Sequence, residues 1–251
     1  MELTATATWL NTSFAAFDEG AAIAVHKLYE LAPWFFTPFM NLISLLGKGG
    51  IFLIAFSCYL ILFPKTRKLG TCMLLGLGLG ALMTNAVFKP LAHRPRPYTW
   101  EGSVYREYWI LLGQHSHSDY CFPSGHTTAA FAFAVSAILY DKKKYWPLIF
   151  FGFFMGVSRI YLSVHYCSDV LAGAIVGSTV LHALLCSLFR IDADTMIITS
   201  VSAICSPPFV PSVAASLKNR DVVLTGLATG VIGYALGNYL GIAVAWLYRL
   251  F

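Results

Sequence analysis

Between Ser158 and Asp169 the chain reads SRIYLSVHYCSD, at the end of one long apolar segment and the start of the next. Its polar residues include Ser158, Arg159, His165 and Asp169, and a membrane-like segment does not carry such groups near its edge unless they are paired or used. His165 and Asp169 stand four residues apart. On a helix the carboxylate then lies one turn above the imidazole, on the same face, and can hold its ring and tautomer. That spacing makes His165 a candidate nucleophile and Asp169 its orienting partner. Arg159, six residues before His165, is close enough to return to the same mouth with a planar fork of donors for a phosphate. A histidine alone at a membrane edge reads as a snorkelling interface residue, but Arg159 and Asp169 argue against that here.

Two earlier clusters carry similar chemistry. In KPLAHRPRP, Lys89 and Arg96 are followed by Pro97. Cations at the end of a span ordinarily snorkel to the headgroups, yet Pro95 and Pro97 fix the backbone on both sides of Arg96, which makes sense if the guanidinium must be aimed. Pro123-Ser124-Gly125-His126 opens a new apolar segment. Ser124 suits an ordinary N-cap, and the exposed N–H groups and positive dipole end of a helix attract an anion. Gly125 lets a phosphate approach the backbone, and His126 adjoins that cradle where it can deliver a proton to a leaving oxygen.

Taken in order, the clusters read K-x6-R-P, P-S-G-H and S-R-x5-H-x3-D, with no departure at a fixed position. On these motifs the chain resembles the type 2 phosphatidic acid phosphatase superfamily, in its membrane lipid phosphate phosphatase branch. The resemblance runs from Lys89 to Asp169 and covers neither terminus. It implies hydrolysis of a phosphate ester without metal or cofactor: His165 attacks phosphorus and forms a phosphohistidine, Asp169 orients it, and His126 protonates the departing group. Lys89, Arg96, Ser124, Gly125 and Arg159 are then the phosphate-binding residues. Phosphoryl transfer needs positioning and charge stabilisation above all, and fixed cations with a helix N-terminus can supply both. Soluble vanadate-dependent haloperoxidases share the pattern, so the motifs alone do not prove hydrolysis. A phosphotransferase using the same phosphohistidine is the nearer alternative. A membrane transporter is the more distant one, because it explains the charges but not their spacing.

These residues need elements to position them, and composition says which kind. The chain has 251 residues, 57% hydrophobic and only 12% charged, with a mean hydropathy of +0.67. A soluble domain carries about 25% charged residues, so the sequence predicts an integral membrane protein. The net charge of +5 comes from basic residues in loops, with no dense tract of the kind that binds nucleic acid. The six cysteines form no CxxC pair, which gives no support to a zinc or redox motif. Cys121 and Cys167 flank the site, and the sequence leaves a disulfide between them open. His115 and His117 in QHSHSD are expected to lie in a solvated loop and to be no metal ligands.

The expected fold is all-α, a polytopic transmembrane helical bundle of about six spans with an extracytoplasmic active-site mouth. It forms one domain over residues 1–251 with a motif core at 69–189. An amphipathic interfacial helix is expected over 13–31, and Pro33 to Leu46 is apolar but short for a span. The spans that follow are Ile51 to Phe63, Leu69 to Phe88, Pro123 to Tyr140, Tyr145 to Val164 and Val170 to Phe189, with a polar cap or lid between Lys89 and Phe122. Gly76 and Gly80 admit a neighbouring helix. The segment 196–215, split by prolines, is a kinked span or a re-entrant hairpin, and 222–247 is the last span. Basic turns at Lys65, Arg67 and Lys68 and at Lys142 to Lys144 mark the cytoplasmic side, which puts the motifs on the other. In a bacterial plasma membrane that side is outside the cytoplasm. The partner is then a lipid phosphate held in the bilayer, with polyprenyl diphosphate ranked above phosphatidic acid and phosphatidylglycerophosphate on resemblance and topology.

Overall fold

The structure, a computed structural model, describes residues 3–188 and, beyond them, only 211, 215, 222–223 and 226–228. The expected segment 196–215 and last span 222–247 therefore fall, but for those few positions, outside the described residues. Residues 1–181 form one compact unit, which carries the motifs; a second, 182–251, lies mostly outside the described residues.

Among the described residues every regular element is helical. In order they are α1 (Ala5–Ser13), α2 (Ala15–Leu31), α3 (Pro33–Gly47), α4 (Ile51–Ile61), α5 (Arg67–Leu82), α6 (Lys89–Ala92), α7 (Val104–Leu111), α8 (Gly125–Tyr140), α9 (Lys142–Tyr145), α10 (Leu148–Tyr161) and α11 (Cys167–Leu188). Pro33 starts α3 at a position where its missing N–H costs nothing. The chain then breaks between α3 and α4 because Gly49 and Gly50 take φ of +60° and +68°, a conformation that residues with a Cβ rarely adopt. Ser103 and Ser124 cap α7 and α8, each accepting from the backbone N–H three residues on.

The span expected to end at Lys89 continues past it. A π-helical turn, Met83–Phe88, joins α5 to α6, and the helix stops at Ala92 against His93 in the left-handed region. Pro90 gives the physical reason: it has no N–H for the carbonyl of Ala86, and a wider turn accommodates the missing bond. Lys89 is thereby carried on a helix and buried, where a span end would have left it in a loop.

Among the described residues two stretches, Pro33–Ile61 (29 residues) and Arg67–Thr99 (33 residues), are long and apolar enough to cross a membrane, and Gly125–Ile138, Leu148–Tyr161 and Cys167–Thr179 are apolar but shorter. Large apolar side chains such as Phe52, Phe56, Leu75, Leu82, Phe150 and Phe153 stand exposed on α4, α5 and α10. An apolar surface of that kind suits lipid tails. Where the outside is already apolar, helices gain little from burying leucines and depend on close packing. Thus α8 packs mainly on α5 and α10, and the expected approach at Gly80 is real: a Cβ there would stand 3.1 Å from Thr128 Cγ2 on α8. The tighter approach is one that the motifs did not suggest. A Cβ on Gly173 would lie 2.6 Å from the Ser124 carbonyl oxygen, and one on Gly177 2.5 Å from that of Thr128, so α11 lies backbone to backbone on the α8 N-terminus.

One expectation is corrected. The helix expected over 13–31 is α2, preceded by the separate α1, but it does not keep its polar residues outward: α2 turns Asp18, Ala22 and His26 into the protein. These positions, spaced by four, make a buried face that is partly polar, and a sequence pattern that counts polar residues as outward misreads it. His26 stacks on Tyr108 of α7, with ring centroids 3.5 Å apart. The polar lid also enters the core. Tyr98 and Leu112 enter a core cluster with Met40, Tyr161, Leu162 and Val164, which ties 97–112 to α3 and α10.

Candidate active site

Each motif sits at the end of an element. Lys89 is on α6, Arg96 in the loop after it, Ser124, Gly125 and His126 at the N-terminus of α8, Arg159 in the last turn of α10, and Asp169 in the first turn of α11. His165 lies in the link before α11, so its pairing with Asp169 spans a helix start and does not run along one helix as expected. Backbone bonds lock these ends together: Ser124 N–H donates to the Asp169 carbonyl (3.0 Å), and Cys121 N–H to that of Arg94 (3.0 Å).

His165 is only 2% exposed. Its Nε2 stands 3.2 Å from Arg96 Nη1, and its Nδ1 stands 3.4 Å from Asp169 Oδ2. An arginine only donates, so Nε2 must offer its lone pair, and the ring proton belongs on Nδ1 facing the carboxylate. The Nδ1 contact is close enough for Coulomb attraction but makes no hydrogen bond. Arg96 is aimed as its proline framing requires, with Nη1 also donating to Val164 O (2.8 Å) and Nε to Asp119 O (3.0 Å). Arg159 is buried, with Nη1 on Ser44 of α3, Nη2 2.9 Å from His117 Nε2, and Nε unpaired. Ser124 Oγ accepts from Thr127 Oγ1 (2.9 Å). A Cβ on Gly125 would come within 3.9 Å of Lys89 Nζ, so the α8 N-terminus and that ammonium face the same space.

His117 and Asp119, expected to lie in a solvated loop, are in the site. The Asp119 carboxylate bridges Lys89 Nζ and Arg96 Nη2, the latter at 2.6 Å. Burial alone would raise its pKa, but the Lys89 hydrogen bond and the Arg96 charge outweigh that and hold the carboxyl well below its usual range. Burial, together with Arg96 and Arg159, pushes His117 down to about 4, so it is neutral at neutral pH and Nε2 accepts from Arg159. His126 stands with its ring 6.2 Å from that of His117. It lines a cavity of about 490 Å3 with Lys89, Asp119 and Gly125 at one part and the apolar Ile54 and Leu77 at another.

Arg94 is the buried cation that the motif reading passed over. It donates to Asp169 Oδ1 (2.7 Å), to Ser168 Oγ (2.7 Å) and to Asp18 Oδ2 (2.9 Å). Its place in the same proline-framed RPRP was the signal available; nothing local marks Asp18. Cys121 and Cys167 are free thiols, and Cys121 Sγ donates to Pro95 O. Among the described residues no group of three or more His, Cys, Asp or Glu stands together as metal ligands. Lys89, Arg96, Arg159 and His165 thus come together in one cation-rich region: Arg96 meets His165 Nε2 and shares Asp119 with Lys89, and Arg159 meets His117.

A family model described as PAP2 superfamily matches residues 68–192, and a second, described as a protein of unknown function (DUF819), matches 169–251. The chain is 32% identical over 117 residues to undecaprenyl-diphosphatase BcrC of Bacillus subtilis (46% of this chain, 57% of that protein). It is 30% identical over 126 residues to an undecaprenyl-diphosphatase of Sulfolobus acidocaldarius (50% and 58%). With a lipid A 4'-phosphatase of Bacteroides thetaiotaomicron it shares 28% over 195 residues (71% and 79%). The chain thus spans less than two thirds of the two undecaprenyl-diphosphatases. A transmembrane PAP2 type phosphatidylglycerolphosphate phosphatase from Bacillus subtilis has the same fold, with a TM-score of 0.57 at 24% identity over 75% of this chain and 92% of that one. With the three motifs inside the matched residues, 68–192 form a PAP2 superfamily domain.

Proposed function

We propose that this chain is a metal-independent lipid phosphate or diphosphate phosphatase that works through a phosphohistidine on His165. The observation that carries the reading is the buried His165 ring, with Nε2 toward Arg96 and Nδ1 toward the Asp169 carboxylate. A phosphoryl group entering between Lys89, Arg96 and Arg159 takes over the cations that Asp119 now holds. Nε2 attacks phosphorus as the bond to the leaving oxygen breaks, and His126 gives that oxygen its proton. Asp169 stabilises the imidazolium character that develops on His165. Water then attacks the phosphohistidine, the N–P bond breaks, and the proton returns to His126.

The cavity supports a lipid as the donor. Its polar part is at Lys89 and His126, its apolar part is at α4 and α5, and Ala81 and Asn85 on its wall are exposed. A lipid can therefore enter sideways, its tails in the bilayer and its head among the cations. The basic turns around Lys68 and Lys143 favour a site on the extracytoplasmic side of a bundle of about six spans, in a bacterial plasma membrane. That two relatives are named undecaprenyl-diphosphatases supports putting a polyprenyl diphosphate first among the proposed substrates. The test is a panel of polyprenyl diphosphate, lipid A, phosphatidylglycerophosphate and phosphatidic acid, assayed for phosphate release by the purified protein in mixed micelles. The polyprenyl diphosphate should give the highest kcat/KM; no release from any lipid phosphate would overturn the reading.

A further inference from the structure

Arg94 is 1% exposed, and nothing in the phosphate chemistry uses it. Its guanidinium lies over the Tyr166 ring (3.9 Å) and bonds four side chains: Nε to Asn11 Oδ1 of α1 (2.8 Å), Nη2 to Asp18 of α2, and Nη1 to Ser168 and Asp169 of α11. Asp18 is as deeply buried. It accepts from Arg94, from Ser168 Oγ (2.7 Å) and from Ser168 N–H (2.7 Å), and so also caps the α11 N-terminus from a distant helix. The Asp169 carboxylate is thus held on one oxygen by Arg94, while the other receives Tyr166 N–H (3.0 Å) and faces His165.

This arrangement has a charge logic. Were Arg94 paired with Asp169 alone, its positive charge would cancel the carboxylate that His165 needs. A second buried carboxylate on the same guanidinium leaves Asp169 with its negative charge to spend on the imidazole. We infer that Asp18 and Arg94 are positioning residues of the phosphatase reaction: Asp18 balances Arg94 so that Arg94 fixes Asp169 in place without neutralising it. The N-terminal helix α2, outside the matched family residues, is then part of the working site. The inference rests on the reading of His165 as nucleophile.

The test is the pH profile of kcat/KM, whose acid limb follows protonation of the nucleophile. His165 is faced by Arg96 from the loop after α6, by Asp169 from α11, and across the site by Arg159, Lys89 and His117. Asp18→Asn removes a negative charge behind that set and should move the acid limb down by about half to one pH unit. The same variant should lower kcat on the order of 10-fold, with the vanadate inhibition constant within about 2-fold, because no phosphate ligand is touched. Asn11 gives the rescue. Asn11→Asp in the Asp18→Asn background returns a carboxylate to Arg94 and should bring the limb back. Asn11→Asp alone should move it up, and this keeps the inference testable if Asp18→Asn does not fold. A merely structural role for Asp18 lowers the number of active sites, read as burst amplitude, and leaves the limb where it was. An unmoved limb in Asp18→Asn, or in Asn11→Asp alone if that is the variant that folds, would overturn the inference. If His165→Asn still turns over, it is the nucleophile reading that fails; if that variant is dead and the limb does not move, only this inference does.

Discussion

Asp119→Asn removes one negative charge from between Lys89 and Arg96 and leaves a side chain of nearly the same shape. In the native protein that carboxylate bridges Lys89 and Arg96, so on the proposed function an entering phosphoryl group must first displace it. The carboxylate is 47% exposed, and solvent screens its two ion pairs to about 0.2–1 kcal/mol each. Losing that competition should tighten the binding of a phosphate mimic by about 0.5–2 kcal/mol, or roughly 2- to 30-fold. The assay is the vanadate inhibition constant of purified wild type and Asp119→Asn, with inorganic phosphate as a second competitor. The sign with pH is also fixed. The folded-state pKa of Asp119 is depressed, so its pairing is present above the ordinary carboxyl range and is lost only as pH falls through the lower folded value. The gain in affinity should therefore be the same at pH 6 and pH 8. A folded Asp119→Asn protein that binds vanadate no better than wild type would refute the reasoning, because Asp119 would then not compete for the anion site.

His126→Asn should cost far more on a lipid phosphomonoester such as phosphatidic acid, whose alkoxide leaving group needs a proton, than on activated aryl phosphates; equal losses in kcat/KM would remove His126 as general acid. Gly173→Ala forces a Cβ to within 2.6 Å of a backbone oxygen of α8 and should lower Tm with a loss of about 1–3 kcal/mol. Gly78→Ala meets nothing within 4 Å and should leave Tm unchanged or slightly raised in the same thermal melt. For orientation, a single cysteine introduced at Gly113 should react with a membrane-impermeant maleimide in intact cells, and one at Lys143 should not; the reverse pattern would put the site in the cytoplasm.

The motif residues were legible because each cluster is local: a proline-framed Arg96, a serine and glycine opening α8, and His165 near Asp169 all announce themselves within a few positions. The all-helical architecture was legible from composition and apolar run length. Contacts made at long range were not. Asp18 meets Arg94 across 76 positions and Ser168 across 150, and in its own helix it reads as one more polar residue facing outward. Asp119 was hidden in a polar stretch without period, where only its ion pairs with Lys89 and Arg96 reveal a role. The π-turn before Lys89 had a local cause in Pro90, but a hydropathy window does not register a change of helical pitch. Gly173 and Gly177 share the four-residue spacing that was recognised at Gly76 and Gly80. Their signal was present, and their partner, the backbone at Ser124 and Thr128, was not.

The central claim is a covalent bond between phosphorus and His165, and a trapping experiment reads it directly. Purified protein is mixed for milliseconds with a lipid phosphate carrying 32P in the scissile phosphoryl group, denatured in alkali, where phosphohistidine survives, and mapped by peptide. The account predicts label on the peptide containing His165, lost in acid, chased by unlabelled substrate at a rate no slower than kcat, and absent from folded His165→Asn protein. Turnover of the same lipid without any acid-labile label at His165, or phosphate release by His165→Asn at a rate comparable to wild type, would contradict it.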